Sequence, residues 1–318
     1  MRRPSGLVGL LLADKPTGAT SHDVVSWARK RLGERRIGHA GTLDPLASGL
    51  LPLLVGPATR LVPYLHDWPK TYVGVVLLGL ETETGDLDGV DVAGFVPPPL
   101  PPRAVLDAAA ARLTGRQMQI PPVYSAKKIG GTPAHELARH GRPPVLPAVE
   151  VTVHRLRFLP AGRGRLAFAA RVSSGTYIRS LARDLGRLLG SGACLAALRR
   201  TAIGPLRARG ATPARAEATS EALLAALLPP EAIPLPLPVV RLDEGGADRF
   251  RGGREVEGDP AGLCGPARVL GPDARMEGIG EIGEGGRLSP RVVLRGGVAG
   301  VGRSEQGNFV VAEGAGPL

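Results

Sequence analysis

Asp44 lies in the stretch Gly38-His39-Ala40-Gly41-Thr42-Leu43-Asp44-Pro45-Leu46-Ala47-Ser48-Gly49, where one carboxylate sits among glycines a few residues from an imidazole. The glycines permit close backbone approach or positive φ, and Pro45 stiffens the residue after the acid. Such a loop holds its carboxylate in place, and a held carboxylate suits nucleophilic or base chemistry. Burial alone disfavours the charged form of an acid, so a site of this kind calls for a cation beside it.

Three other short patterns suggest chemistry and fail on context. Gly278-Ile279-Gly280-Glu281-Ile282-Gly283 has dinucleotide-binding spacing, but no helix pattern follows and too little chain remains for a βαβ unit. It reads as turns between strands, which sets aside a nicotinamide-dependent oxidoreductase. His135 and His140 approximate a zinc-protease pattern, yet a spacing of five turns them about 140° apart on a helix. Ser125-Ala126-Lys127-Lys128 matches an acyl-transfer pattern only in letters, because Pro121-Pro122 and Gly130-Gly131 flank it where a helix should run. Cys194 and Cys264 are the only cysteines, too few and too distant for a zinc quartet and typical of a reduced compartment.

The elements that must position Asp44 follow from periodicity. The apolar run Leu7 to Ala13 predicts an interior strand, ended by Asp14-Lys15-Pro16-Thr17-Gly18. Ser21 is placed to cap a helix whose stripe is Val24, Val25, Ala28 and Leu32, with Gly33 as its stop. Leu50 to Val55 and Thr71 to Gly79 read as strands, with a short helix over Thr59 to Leu65 between them and Pro63 breaking it. Beyond a proline-rich linker at Phe95 to Pro102, Arg103 to Leu113 is an alanine-rich helix. Val149 to Phe158 and Leu166 to Ser173 alternate as paired antiparallel strands, and a helix runs from Thr176 to Leu189 with Arg179, Arg183 and Asp184 on its polar face. A further helix is expected near Ser220 to Leu228. The prolines from Pro229 to Pro238 mark a boundary, after which helix patterns vanish and short strands predict a small β-barrel with a frayed tail from Val310 to Leu318.

The chain has 318 residues and a formal charge of +11, enough for two domains and attractive to a polyanion. Arg2-Arg3 before Leu7 to Ala13 imitates a secretory leader, but Asp14-Lys15 interrupts the run and no small-residue cleavage site follows. No apolar stretch approaches the roughly 20 residues of a membrane span, so a soluble, cytoplasmic protein without a membrane partner is expected.

The Asp44 loop resembles the signature loop of pseudouridine synthases, and four more segments are similar to the TruB family. These are Leu12 to Ser21; Lys70-Thr71-Tyr72 with Thr82 to Asp86; Gln119 to Lys128; and Ser174-Gly175-Thr176-Tyr177-Ile178-Arg179-Ser180-Leu181 with Leu198-Arg199-Arg200. The resemblance implies an α+β fold: a mixed, mainly antiparallel sheet with flanking helices over residues 1–238, and a small PUA-like β-barrel domain over 239–318. It implies isomerisation of uridine to pseudouridine at position 55 in the T-loop of tRNA, by base flipping, as a monomer with no cofactor and no metal. In that reading Asp44, Tyr72 and Arg179 are catalytic: Asp44 as nucleophile or base, Arg179 as its cation, Tyr72 stacking on the flipped uracil. His39 fills the space left by the flipped nucleotide, Leu198 and Tyr177 line the uracil pocket, and Thr42 and Leu43 flank the acid. Lys15, Lys127, Lys128, Arg199 and Arg200 are candidates for phosphate contact. The rival reading from another class is a non-enzymatic RNA binder that refolds the tRNA elbow from the same basic groove.

Overall fold

A computed structural model describes residues 6–96, 98–125, 127–258, 262–294 and 309–311, the last three as backbone. The strands of the first sheet are β1 Gly9–Lys15, β2 Ile37–His39, β3 Ala47–Val55, β4 Lys70–Leu78, β5 Gly115–Gln119, β8 Val149–Pro160, β9 Arg165–Val172, β10 Ala193–Ile203, β11 Leu206–Arg207 and β12 Thr212–Pro213. Its order is β12-β1-β3-β10-β4-β9-β8-β5, with β2 on β3 and β11 on β10. Only β1/β12 and β3/β10 run parallel, so the sheet is mixed and mainly antiparallel, as the resemblance implies. A small hairpin, β6 Lys128–Ile129 and β7 Thr132–Pro133, stands apart. The helices are α1 Ser21–Leu32, α2 Pro63–His66, α3 Arg103–Arg112, α4 Ala134–Arg139, α5 Ile178–Leu189, α6 Ser220–Ala225 and α7 Glu244–Arg251.

Amphipathic spacing places the helices. The α1 stripe of Val24, Val25, Ala28 and Leu32 packs on Leu11, Leu51, Leu53 and Val55. Its cap is Thr20 in place of Ser21: the Thr20 hydroxyl accepts from the Asp23 amide at 3.1 Å while the Asp23 carboxylate accepts from the Thr20 amide at 2.8 Å. Helices α3 and α5 cover one face of β4, β8, β9 and β10, with Leu106, Leu181 and Leu185 against Val76, Phe158 and Phe168.

The central strand β10 is an element that periodicity does not announce. Residues Ala193 to Ile203 mix alanine and arginine without clean alternation, and β-bulges against β4 after Leu195 and Arg200 break the period of two. Gly49 lets β3 approach it: a Cβ there would lie 2.2 Å from the carbonyl oxygen of Arg200, at φ 104°.

A second sheet follows Pro238, comprising β13 Val239–Leu242, β14 Val256–Glu257, β15 Gly265–Leu270, β16 Met276–Ile282, β17 Arg287–Val293 and β18 Phe309–Val311, in the order β14-β17-β16-β15-β13-β18. This is the small C-terminal β domain. Three expectations are corrected within it. A helix, α7, is present: Asp243 accepts from the Gly246 amide at 2.7 Å, and fully buried Ala247 and Phe250 hold one face, enough to outweigh Gly245 and Gly246. The glycines of Gly278 to Gly283 lie mostly within β16, not at turns; a Cβ on Gly278 would stand 1.7 Å from the Val292 carbonyl oxygen, so the residue is set by strand contact. Val310 belongs to β18, which hydrogen-bonds to β13 and covers an otherwise free edge, while 312–318 lie outside the described residues. Met276, Ile279, Val292 and Leu294 of this sheet share a core with Leu54, Leu61 and Leu65 of the first. Among the described residues no helix is long and apolar enough to cross a membrane.

Candidate active site

The loop from Ala40 to Leu46 joins β2 to β3 and is pinned from four directions. Ala40 donates from its amide to the Pro52 carbonyl at 2.9 Å, and Gly18 donates to the Pro45 carbonyl at 2.8 Å. Ser21, freed from capping, accepts from the Leu43 amide at 2.9 Å and donates to the Leu43 carbonyl at 3.1 Å. Arg200, 1% exposed, donates to the carbonyls of Leu50, Thr42 and Gly41 at 2.8, 3.2 and 2.9 Å. With Leu43 buried on one side of it and Pro45 on the other, Asp44 has little freedom to swing.

Arg179 meets it from the first turn of α5. Its Nε donates to Asp44 Oδ2 at 2.8 Å, its Nη1 to the Thr84 carbonyl at 2.8 Å and its Nη2 to the Tyr124 carbonyl at 2.8 Å. The Arg179 side chain is 6% exposed and Asp44 is 39% exposed, so the acid faces the opening and the cation lies behind it. Arg179 therefore belongs to the buried side of α5 and not to its polar face. Asp86, buried, stands 3.9 Å behind the same Nε. A planar fork with five donors holds the acid and the two carbonyls from three separate nitrogens in fixed directions, a geometry that the single nitrogen of a lysine does not reproduce.

The opening is a cleft of about 240 Å³ whose lining brings together Thr42, Leu43, Asp44, Tyr72, Tyr177, Arg179 and Leu198, seven of the nine expected site residues. Tyr72 on β4 and Leu198 on β10, each 8% exposed, form apolar wall. Tyr177 is held at its backbone by buried Gln119, whose side chain accepts from its amide at 2.9 Å and donates to its carbonyl at 3.2 Å; burial pushes the phenol of Tyr177 upward in pKa.

Two expected residues stand elsewhere. His39 ends β2 half-buried and outside the lining, its Nδ1 without a hydrogen-bond partner; burial first, and then Arg200, lowers its pKa. Lys15 lies outside the lining, fully buried, and donates to the carbonyls of Ala19, Pro16 and Pro45 at 2.6, 2.9 and 3.4 Å. Burial lowers its pKa to about 8. Arg200 is likewise a loop clamp, and Arg199 is tied to Asp14 at 2.6 and 3.0 Å. Lys127 remains partly exposed and Lys128 exposed beside the β6–β7 hairpin.

Sequence reasoning gave no role to Lys70 or His66, which also line the cleft. Lys70 is 9% exposed, donates to the His66 carbonyl at 2.5 Å and is lowered to about 8 by burial. The signal was present in the alternation of β4, which puts Lys70 two residues from Tyr72 on one face.

Comparison with known proteins agrees along the chain. Residues 29–178 match the TruB family pseudouridylate synthase N-terminal domain, 179–233 the tRNA pseudouridylate synthase B C-terminal domain, and 238–294 the pseudouridine synthase II TruB C-terminal domain. The tRNA pseudouridine synthase B of Parasynechococcus marenigrum (strain WH8102) is 43% identical over 292 residues, 91% of this chain and 98% of that protein. That of Xanthomonas axonopodis pv. citri (strain 306) is 42% identical over 295 residues, 91% and 95% of the two chains. Among solved structures, a Cbf5-Nop10-Gar1 complex superposes with a TM-score of 0.67 at 24% identity, covering 92% of this chain and 88% of that one, a likeness of fold. With the acid and its arginine meeting as the motifs require, and with identity of this level running almost end to end, the chain belongs to the TruB family of pseudouridylate synthases.

Proposed function

We propose that this chain isomerises uridine to pseudouridine at position 55 in the T-loop of tRNA. The observation that carries the reading is the Asp44–Arg179 contact of 2.8 Å at the floor of a cleft walled by Tyr72, Tyr177 and Leu198. The target nucleotide leaves its stack and enters the cleft, where Tyr72 packs on the uracil. Asp44 acts as nucleophile or base while the N-glycosidic bond breaks; the base turns, its C5 joins the ribose, and the C5 proton passes to solvent, with Tyr72 placed to assist. Atoms and electrons balance without an oxidant or an energy source, and no cofactor is required. Arg179 keeps Asp44 charged and aimed as water is displaced. His39, just outside the cleft lining, fills the space left by the flipped nucleotide. The names of the relatives support tRNA as substrate.

We assign the synthase domain to residues 1–238 and an RNA-contacting domain to 239–318, acting as a monomer in the cytoplasm. The test is tritium release from a T-arm hairpin labelled at uridine C5, comparing the wild type with Asp44→Ala. Release confined to the target uridine and lost in the variant supports the reading. Tight hairpin binding with no release by either protein transfers the assignment to an RNA-refolding role.

A further inference from the structure

The opposite face of the sheet carries a groove of about 540 Å³, floored by Val73, Val75, Leu159, Ala167, Ala169 and Ala197. Tyr72, Val76, Leu156 and Ala170 on the same strands point into the core under α3 and α5, so alternation turns these floor residues the other way. Val73 is 40% and Leu159 42% exposed. A solvated face of an antiparallel sheet is normally polar, and an aliphatic floor of this kind marks an interaction surface.

Its rim is basic. Arg157 and Arg199 line the groove, and Arg155 and Arg171 face each other directly across β8 and β9. Like charges directly opposite on one sheet face cost stability, so the fold itself gains nothing from that pair. Arg199 is neutralised by Asp14, whereas no carboxylate pairs with Arg155, Arg157 or Arg171 among the described residues.

We propose that this face docks an acidic, amphipathic helix from a partner protein, its aliphatic side chains on the floor and its carboxylates against Arg155, Arg157 and Arg171. β4 and β9, which supply most of the floor, are paired on both sides, so a peptide covering it cannot join them as an added strand and must bind through side chains. A helix laid on a sheet face is the ordinary layer that buries such a floor. RNA would satisfy the arginines but leave the aliphatic floor facing phosphate and sugar, with no exposed aromatic on it for a base to stack on. The surface lies across the sheet from the Asp44 cleft, and the proposal does not rest on the reaction assigned there.

The experiment uses the full chain and a fluorescein-labelled helical peptide of about 18 residues, five turns, with leucine on one face and glutamate on the rest. Fluorescence anisotropy is expected to show saturable binding that weakens roughly tenfold in Arg155→Glu/Arg157→Glu and again in Leu159→Asn, side chains being the anchors. Turnover of a T-arm hairpin by both variants should equal that of the wild type. The proposal is overturned if the peptide fails to bind, or if a version with its leucines changed to glutamine binds equally well. A loss of hairpin affinity in the arginine variant would reassign the face to RNA. Sedimentation showing a dimer that Leu159→Asn abolishes would reassign it to a second copy of this chain.

Discussion

Arg179 does three things through one planar group, and its replacement separates charge from shape. Arg179→Lys keeps a cation near Asp44 but cannot reach Oδ2 and the carbonyls of Thr84 and Tyr124 together. Single-turnover tritium release is expected to fall by about 10²-fold or more, with hairpin affinity in a filter assay nearly unchanged, since preorganised charge acts mainly on the reacting state. Equal losses in both assays would make Arg179 an RNA-binding residue. Lys15 gives a pH signature. Burial lowers its pKa from 10.5 to about 8, so between those values the unfolded chain holds the proton that the folded chain has released. Stability from this group therefore rises with pH across that window and is flat below it; Lys70, lowered to about 8 by burial, adds in the same direction. In urea titrations the wild type should gain on Lys15→Met as pH rises from about 8 toward 10.5. A difference that shrinks over that range contradicts the buried ammonium.

At the level of elements, the start of α1 shows how one neighbouring pair of hydroxyls divides two tasks. Thr20 caps the helix, while Ser21, one residue on, bonds both backbone groups of Leu43 beside Asp44. Thr20→Ala should cost about 1 kcal/mol of stability and leave turnover unchanged. Ser21→Ala leaves a buried amide and carbonyl unpaired, so it should cost about 1–3 kcal/mol and also lower kcat. Urea denaturation together with kcat for the two variants checks the division, and equal kcat in both would remove Ser21 from loop positioning. Both residue types cap helices well, so the sequence could not rank them. The position of Leu43, 22 residues away, decided it. The stripe of α1 and the β8–β9 pair were legible from period alone, whereas β10 was not, because its bulges and arginines hide the alternation of a strand buried at the centre of the sheet.

For the whole molecule, the two sheets are joined by a common core. Ile279 of β16 is fully buried in the cluster that also holds Leu54, Leu61 and Trp68. Arg60 adds hydrogen bonds to the carbonyls of Arg291 and Val293 at 3.0 and 3.3 Å. Ile279→Ala should therefore cost about 2–5 kcal/mol and lower the unfolding midpoint reported by tryptophan fluorescence, although both tryptophans belong to the first sheet's side of the chain. If the fluorescence transition does not move, the C-terminal sheet unfolds independently and the shared core contributes little.

The sequence by itself determined the chemistry-bearing residue types, the strand and helix pattern around Asp44, and the change of character after Pro238, because each is written in neighbouring residues or in a short motif. Tertiary structure alone decided what two of the charges do. Lys15 and Arg200 are basic residues in quoted motifs and candidates for phosphate contact, yet each is buried against carbonyl oxygens: one ties a turn, one clamps the loop. Local sequence cannot distinguish these from phosphate contacts, because burial and hydrogen-bond partners are set by chain segments up to 159 residues away.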